Sequence, residues 1–155
     1  MRKLKPKKRI LAPDTKFSDP LVTRFINTMM WGGEKSTAAG IFYDALEMAE
    51  QQTGENGYEV WKKAISNSTP GVEVKSRRIG GANFQIPTEI RPDRKISLSM
   101  KWLIQYSRKR SGKSMAEKLA AEIVAASKNE GSTIKKREDV HKMAEANKAF
   151  AHFRT

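Results

Sequence analysis

Apolar positions recur at helical spacing along most of the chain, and the period changes to two only in the middle. Leu21, Phe25, Ile26 and Met29 fall three or four residues apart, which places one apolar stripe on a helix. Asp19 is suited to cap that helix, Pro20 to occupy its first position and Gly32-Gly33 to end it. A second helix is expected from about Ser36 to Gln52, with Ala38, Phe42, Leu46 and Ala49 on one face. Asn56 and Glu59 have the spacing of a capping box for a third, which reaches about Ser66 and buries Val60 and Trp61.

From residue 72 the pattern alternates. Val72, Val74 and Ser76 interleave with Glu73, Lys75 and Arg77, and Phe84, Ile86, Thr88 and Ile90 alternate again after Gly80-Gly81. This predicts a hairpin over about 72–90 with its loop near 80–83. Pro87 has no N–H for a central ladder, so its nitrogen must face an open edge, as a two-stranded ribbon provides. Its apolar residues Val72, Val74, Ile86 and Ile90 are expected at the base, packed on helices. Helical spacing resumes after Pro92, with Ile96, Met100 and Leu103 on one face. Ser114-Met115-Ala116-Glu117 is a capping box for a fifth helix, with Leu119, Ala120, Ile123 and Val124 inward and Gly131 closing it. A sixth segment from about Ser132 to Asn147 carries Val140, Met143 and Ala144 on one side. The expected fold is mainly α: a bundle of six helices with an inserted, projecting β-hairpin and a basic N-terminal arm. Residues 1–16 form the arm and 17–155 a single helical domain.

Charge adds a partner to this picture. Thirty Lys and Arg against 17 Asp and Glu give a formal charge of +13 on 155 residues. That excess opposes compaction unless a polyanion neutralises it. The membrane reading is weak: the sequence has no run of about 18 apolar residues, and the most apolar stretch, Ala120–Ala126, is interrupted by Glu122. The basic N-terminus lacks the apolar stretch that follows in a signal peptide. There is no cysteine, which excludes disulfides and thiolate metal sites and fits a cytoplasmic location.

Catalytic chemistry finds little support. Gly112-Lys113-Ser114 looks like the end of a phosphate loop, but position 107 is Ser where the first glycine is needed, and a helix precedes it instead of a strand. Gly33-Glu34-Lys35-Ser36 has Glu where the lysine belongs, and Gly80-Gly81 reads as a turn. His141 and His152 are two ligands at most, where structural zinc needs four. They are expected on a polar face near RNA or solvent. Carboxylates are mostly interspersed with cations, as in Lys135-Lys136-Arg137-Glu138-Asp139, the pattern of a solvated helix face. An enzyme is not expected, nor any metal or cofactor.

The basic clusters are the informative feature. Arg2, Lys3, Lys5, Lys7, Lys8 and Arg9 lie in the arm, with Pro6 and Pro13 opposing helix. Lys75, Arg77 and Arg78 lie on the hairpin, and Arg91 and Arg94 enter the fourth helix. Arg108, Lys109, Arg110 and Lys113 leave that helix, and Lys135, Lys136 and Arg137 lie in the sixth. Cations at element ends can serve one surface while apolar stripes face the core, and they supply phosphate neutralisation and bidentate donors. No adjacent helix pair has the short turn and polar second helix of a helix-turn-helix. A basic ribbon and arm suit folded RNA, where shape and phosphate contacts dominate. A DNA-binding regulator and an RNA-processing enzyme stay open as alternatives.

Several segments resemble the seventh family of small-subunit ribosomal proteins in its bacterial form. Asp19-Pro20-Leu21, Phe25-Ile26, Gly33-Glu34-Lys35, Ile41-Phe42 and Ala45 track its N-terminal pattern. Residues 77–87, Arg-Arg-Ile-Gly-Gly-Ala-Asn-Phe-Gln-Ile-Pro, resemble its hairpin, and 142–154, from Lys142 to Arg154, its C-terminus. The family usually carries a cation where Glu34 stands, which leaves Lys35 to serve alone in that loop. The resemblance implies six helices with an extended hairpin. It also implies primary binding to the 3′ major domain of 16S ribosomal RNA and nucleation of the small-subunit head. Lys35 and Lys142 join the expected ribosomal RNA contacts by their charge and position. Arg77, Arg78, Gly80, Gly81, Asn83, Lys148, His152 and Arg154 are expected near exit-site tRNA and messenger RNA. The implied protein neighbours are the ninth and eleventh proteins of the small subunit.

Overall fold

The computed structural model describes residues 10–153, which divide after Gly40 into two compact units. Arg2, Lys3, Lys5, Lys7, Lys8, Arg9 and Arg154 lie outside the described residues. In the first unit, Asp14 accepts from the N–H groups of Lys16 and Phe17 at 3.0 and 3.2 Å. The Thr23 hydroxyl donates to the Ala12 carbonyl at 2.9 Å. Residues 12–17 are thus tied into the turn before the first helix.

Helix α1 is Pro20–Met29, with Asp19 accepting from Leu21 N–H at 2.8 Å. Pro20 at its start costs nothing, since the missing N–H would be unpaired there. Val22, Phe25, Ile26 and Met29 are buried, while Leu21 is half-buried. The helix stops at Met29, before the expected Gly32-Gly33. Met30 leaves helical geometry, and the glycines form the next turn with φ of +60° and +86°. Helix α2, Lys35–Thr53, then crosses from one unit into the other and buries Ala38, Phe42, Ala45, Leu46 and Ala49.

Helix α3 is Gly57–Ser68, capped by Asn56, which accepts from Tyr58 N–H at 3.0 Å. Its first residue has to be glycine: a Cβ there would stand 2.2 Å from the Leu46 carbonyl oxygen. That contact lets the start of α3 cross α2 backbone to backbone. Trp61 then reaches Phe42 edge-on, with ring centroids 5.4 Å apart.

Strands β1, Val72–Ile79, and β2, Ala82–Glu89, form one antiparallel ribbon. The loop is two residues, Gly80 and Gly81, tighter than the 80–83 expected. Both have positive φ, +56° and +89°, as the tightest hairpin turns require. The turn fixes the register Ile79↔Ala82 to Val72↔Glu89. Residues opposite each other share a face, so Phe84 and Ile86 lie with Arg77 and Lys75, whereas Val72 and Val74 lie with Glu89 and Pro87 on the other. The expected apolar base is therefore split. Ile86 and the following Ile90 are buried, and Val72 and Val74 are half-buried.

Three more α-helices follow in the second unit: α4, Pro92–Lys109; α5, Met115–Ser127; and α6, Gly131–Ala146. A 3-10 helix, Lys148–Phe153, follows them. Met100 and Leu103 of α4 are buried with Leu119 and Ile123 of α5 and Ile134 of α6; Ile96 is half-buried. Ser114 caps α5 by accepting from Glu117 N–H at 3.2 Å. The Glu117 carboxylate returns to Lys113 N–H at 3.0 Å, one residue outside the strict capping box. Helix α5 ends at Ser127, and left-handed Asn129, with φ of +61°, turns the chain. Gly131 opens α6 rather than closing α5. Met143, expected inward, is 45% exposed, while Val140 and Ala144 of the same helix are buried. Val124 is only half-buried, and the neighbouring buried position is a carboxylate, Glu122.

Candidate nucleic-acid interface

The cations expected to contact RNA separate into those held by the protein and those turned outward. Arg110 belongs to the first group. Its Nε lies 2.9 Å from Oε2 of Glu122, a side chain with no solvent exposure. The other carboxylate oxygen accepts from the Thr133 hydroxyl at 2.6 Å and from Thr133 N–H at 2.9 Å. Thr133 is the third residue of α6, whose N-cap, Glu130, makes no side-chain cap. Glu122 thus caps α6 from α5, and its charge suits the positive end of the helix. Gly131 leaves the room: a Cβ there would stand 3.3 Å from Oε1 of Glu122. Three helices meet on this one carboxylate, so Arg110 has a structural duty.

Arg137 is similarly engaged. It donates to the Asn67 carbonyl at the end of α3 and pairs with Glu138 at 3.7 Å. The Asn67 amide in turn donates to the carbonyls of Ala126 and Ser127, at 3.0 and 2.9 Å, closing the end of α5. His141 was expected beside RNA or solvent, but its Nε2 accepts from Gly71 N–H at 3.0 Å and so fastens α6 to the entry of the hairpin. Arg137, His141 and Lys142 line a shallow surface depression with Thr69, Glu138 and Glu145.

At the base of the hairpin Glu73 gathers two expected contacts, Lys75 at 3.4 Å and Arg94 at 2.8 Å. Both cations keep more than half of their side-chain surface in water, so these pairs add little stability and leave the charges accessible. Arg91 and Arg94 stand at the N-terminus of α4, where a cation opposes the helix dipole. Local helix energetics does not put them there. Arg108 and Lys109, in the last turn of the same helix, suit its negative end as well as an RNA.

Arg77, Arg78, Arg91, Lys109, Lys113, Lys135 and Lys142 are all exposed, and Lys136 is half-buried. Lys35 is exposed in the first unit, as the first residue of α2. Gly80, Gly81 and Asn83 are exposed at the hairpin tip. The 3-10 helix packs against β2, which brings exposed Lys148 and His152 to the same hairpin. Sequence reasoning passed over Lys62, Lys63 and Lys101, which are also exposed; the adjacent pair at 62–63 was the available signal. Among the described residues no three His, Asp or Glu side chains gather as a metal site, and no helix is long and apolar enough to cross a membrane.

Helices with exposed cations at their ends and a basic two-stranded ribbon offer the kind of charged surface that suits a nucleic acid. Residues 1–148 match the family described as ribosomal protein S7p/S5e. The chain is 64% identical over 154 residues to the small ribosomal subunit protein uS7 of Cytophaga hutchinsonii, with 99% of each chain covered. It is 63% identical to the uS7 of Christiangramia forsetii and 56% to that of Amoebophilus asiaticus, again with 99% of each covered. The chain belongs to the ribosomal protein S7p/S5e family. It is a structural constituent of the small ribosomal subunit and not an enzyme.

Proposed function

We propose that the chain is a primary binder of the 3′ major domain of 16S ribosomal RNA and nucleates assembly of the small-subunit head. The observation that carries this reading is the division of labour among its basic residues. Arg110 and Arg137 are drawn into the protein, while Arg91, Lys109, Lys113, Lys135 and Lys142 remain outward at or near helix ends. A chain with formal charge +13 that leaves such cations in water gains most from a folded polyanion. The hairpin tip and the 3-10 helix, with Arg77, Arg78, Lys148 and His152, form the part suited to exit-site tRNA and messenger RNA. The ninth and eleventh small-subunit proteins are the proposed protein neighbours.

Gradient sedimentation of a tagged chain from cell extract tests the assembly role. Co-migration with small subunits through a high-salt wash is expected, together with headless particles when the chain is depleted. Migration with DNA, or free of subunits after the wash, would overturn the proposal.

A further inference from the structure

The hairpin ought to be a weakly held element. A two-stranded ribbon has no second layer of its own and is marginal alone in water. Its inner end is anchored, because Ile86 is 1% exposed and Ile90 5%. Beyond Ile86 the strands carry Arg77, Arg78 and Asn83, all exposed, and the Gly80-Gly81 turn. Such a tip should swing. Ile79 and Phe84 are half-buried in this outer half, and Phe84 reaches another element. Its ring centroid lies 5.3 Å from that of Phe150 and 5.6 Å from that of Phe153, both on the 3-10 helix. The His152 ring lies tilted against that of Phe153, with centroids 4.0 Å apart.

Two features make this cluster more than incidental packing. The 3-10 helix has no buried residue, so the bundle core does not require it. Phe84 also stands directly opposite Arg77 in the ladder, next to the Arg78↔Asn83 pair. Holding the Phe84 ring therefore fixes the backbone that carries both arginines.

We propose that Phe84, Phe150 and Phe153 form an aromatic clasp by which the C-terminal segment sets the direction of the hairpin. On this account they are positioning residues for the RNA contacts of Arg77 and Arg78. The role in RNA binding rests on the function proposed above, whereas the clasp itself does not.

The absence of cysteine makes the test clean, since labels attach only where cysteines are introduced. Spin labels at Asn83→Cys and Ser66→Cys, on hairpin tip and α3, report the hairpin direction in the full-length free chain. A narrow distance distribution is expected, with severalfold broadening in Phe150→Ala/Phe153→Ala and unchanged helical circular dichroism. Phe150→Leu/Phe153→Leu, which keeps apolar bulk, should restore most of the narrowness. A distribution equally narrow in the alanine variant would overturn the clasp.

The second arm measures exit-site tRNA binding to ribosomes whose small subunits are assembled with the variant chain. Arg77→Ala/Arg78→Ala should weaken binding severalfold in the intact background and much less once the clasp is gone. An undiminished effect in the clasp variant would overturn the positioning role even with a broadened distribution. If removing both arginines changes nothing in the intact background, the RNA role of the hairpin fails, while the label distances still decide the clasp.

Discussion

Replacing Arg110 by Ala should unfold the protein more easily, although Arg110 has the sequence context of an RNA contact. The Nε–Oε2 separation of 2.9 Å corresponds to about 6 kcal/mol of gross attraction at an effective dielectric of ~20. Desolvation of Glu122, which is fully buried, offsets much of that in the intact pair. Removing the arginine leaves the desolvated carboxylate without its cation. Stranding a buried charge costs about 3–5 kcal/mol where neither partner sees water. Here the Arg110 side chain is 34% exposed and its charge is screened, so about 2–4 kcal/mol is expected. For a chain of this length that is a fall in Tm of about 4–16 °C. Equilibrium unfolding in urea measures it, with Arg110→Lys as the partial rescue. In a double-mutant cycle with Glu122→Gln, the Arg110→Ala penalty should shrink by more than about 1 kcal/mol. An Arg110→Ala variant within about 0.5 kcal/mol of wild type, yet weakened in RNA binding, would refute the reasoning and return Arg110 to the RNA surface.

Gly57→Ala should destabilise by at least about 1–3 kcal/mol, since its Cβ would lie 2.2 Å from a backbone oxygen that cannot rotate away; a melting curve matching wild type would contradict the close crossing of α2 and α3. Leu103→Ala should cost about 2–5 kcal/mol through lost burial and a cavity. Arg78→Ala and Lys109→Ala should leave stability within about 0.5 kcal/mol and weaken RNA binding. Paired melting and filter-binding assays check the separation, and a reversal of the two effects would sink it.

The elements themselves were legible because their signals are local. Asp19, Asn56 and Ser114 cap the helices they precede, and Ala38, Phe42, Leu46 and Ala49 are buried as their spacing demands. What stayed hidden depends on partners far along the chain. Glu122 reads as a polar break in an apolar run, and only Arg110 and Thr133, twelve and eleven residues away, make its burial tolerable. Gly131 reads as a helix stop because its other use, making room for Glu122, requires knowing where α6 starts. The face shared by Phe84 and Ile86 depended on turn length, and a loop at 80–83 leaves the register open where Gly80-Gly81 alone fixes it. For the site, the sequence marked the basic clusters but could not tell Arg110, bound inward, from Lys109 beside it, turned outward. Composition alone treats the two alike.

The salt dependence of binding to an isolated 3′ major domain transcript, without other proteins, tests the central claim most directly. Six to ten phosphate contacts predict a log–log slope of about −4 to −9. The account therefore predicts a steep slope and affinity that survives competition by unrelated RNA. A slope near zero, or equal affinity for any RNA of that length, would contradict it.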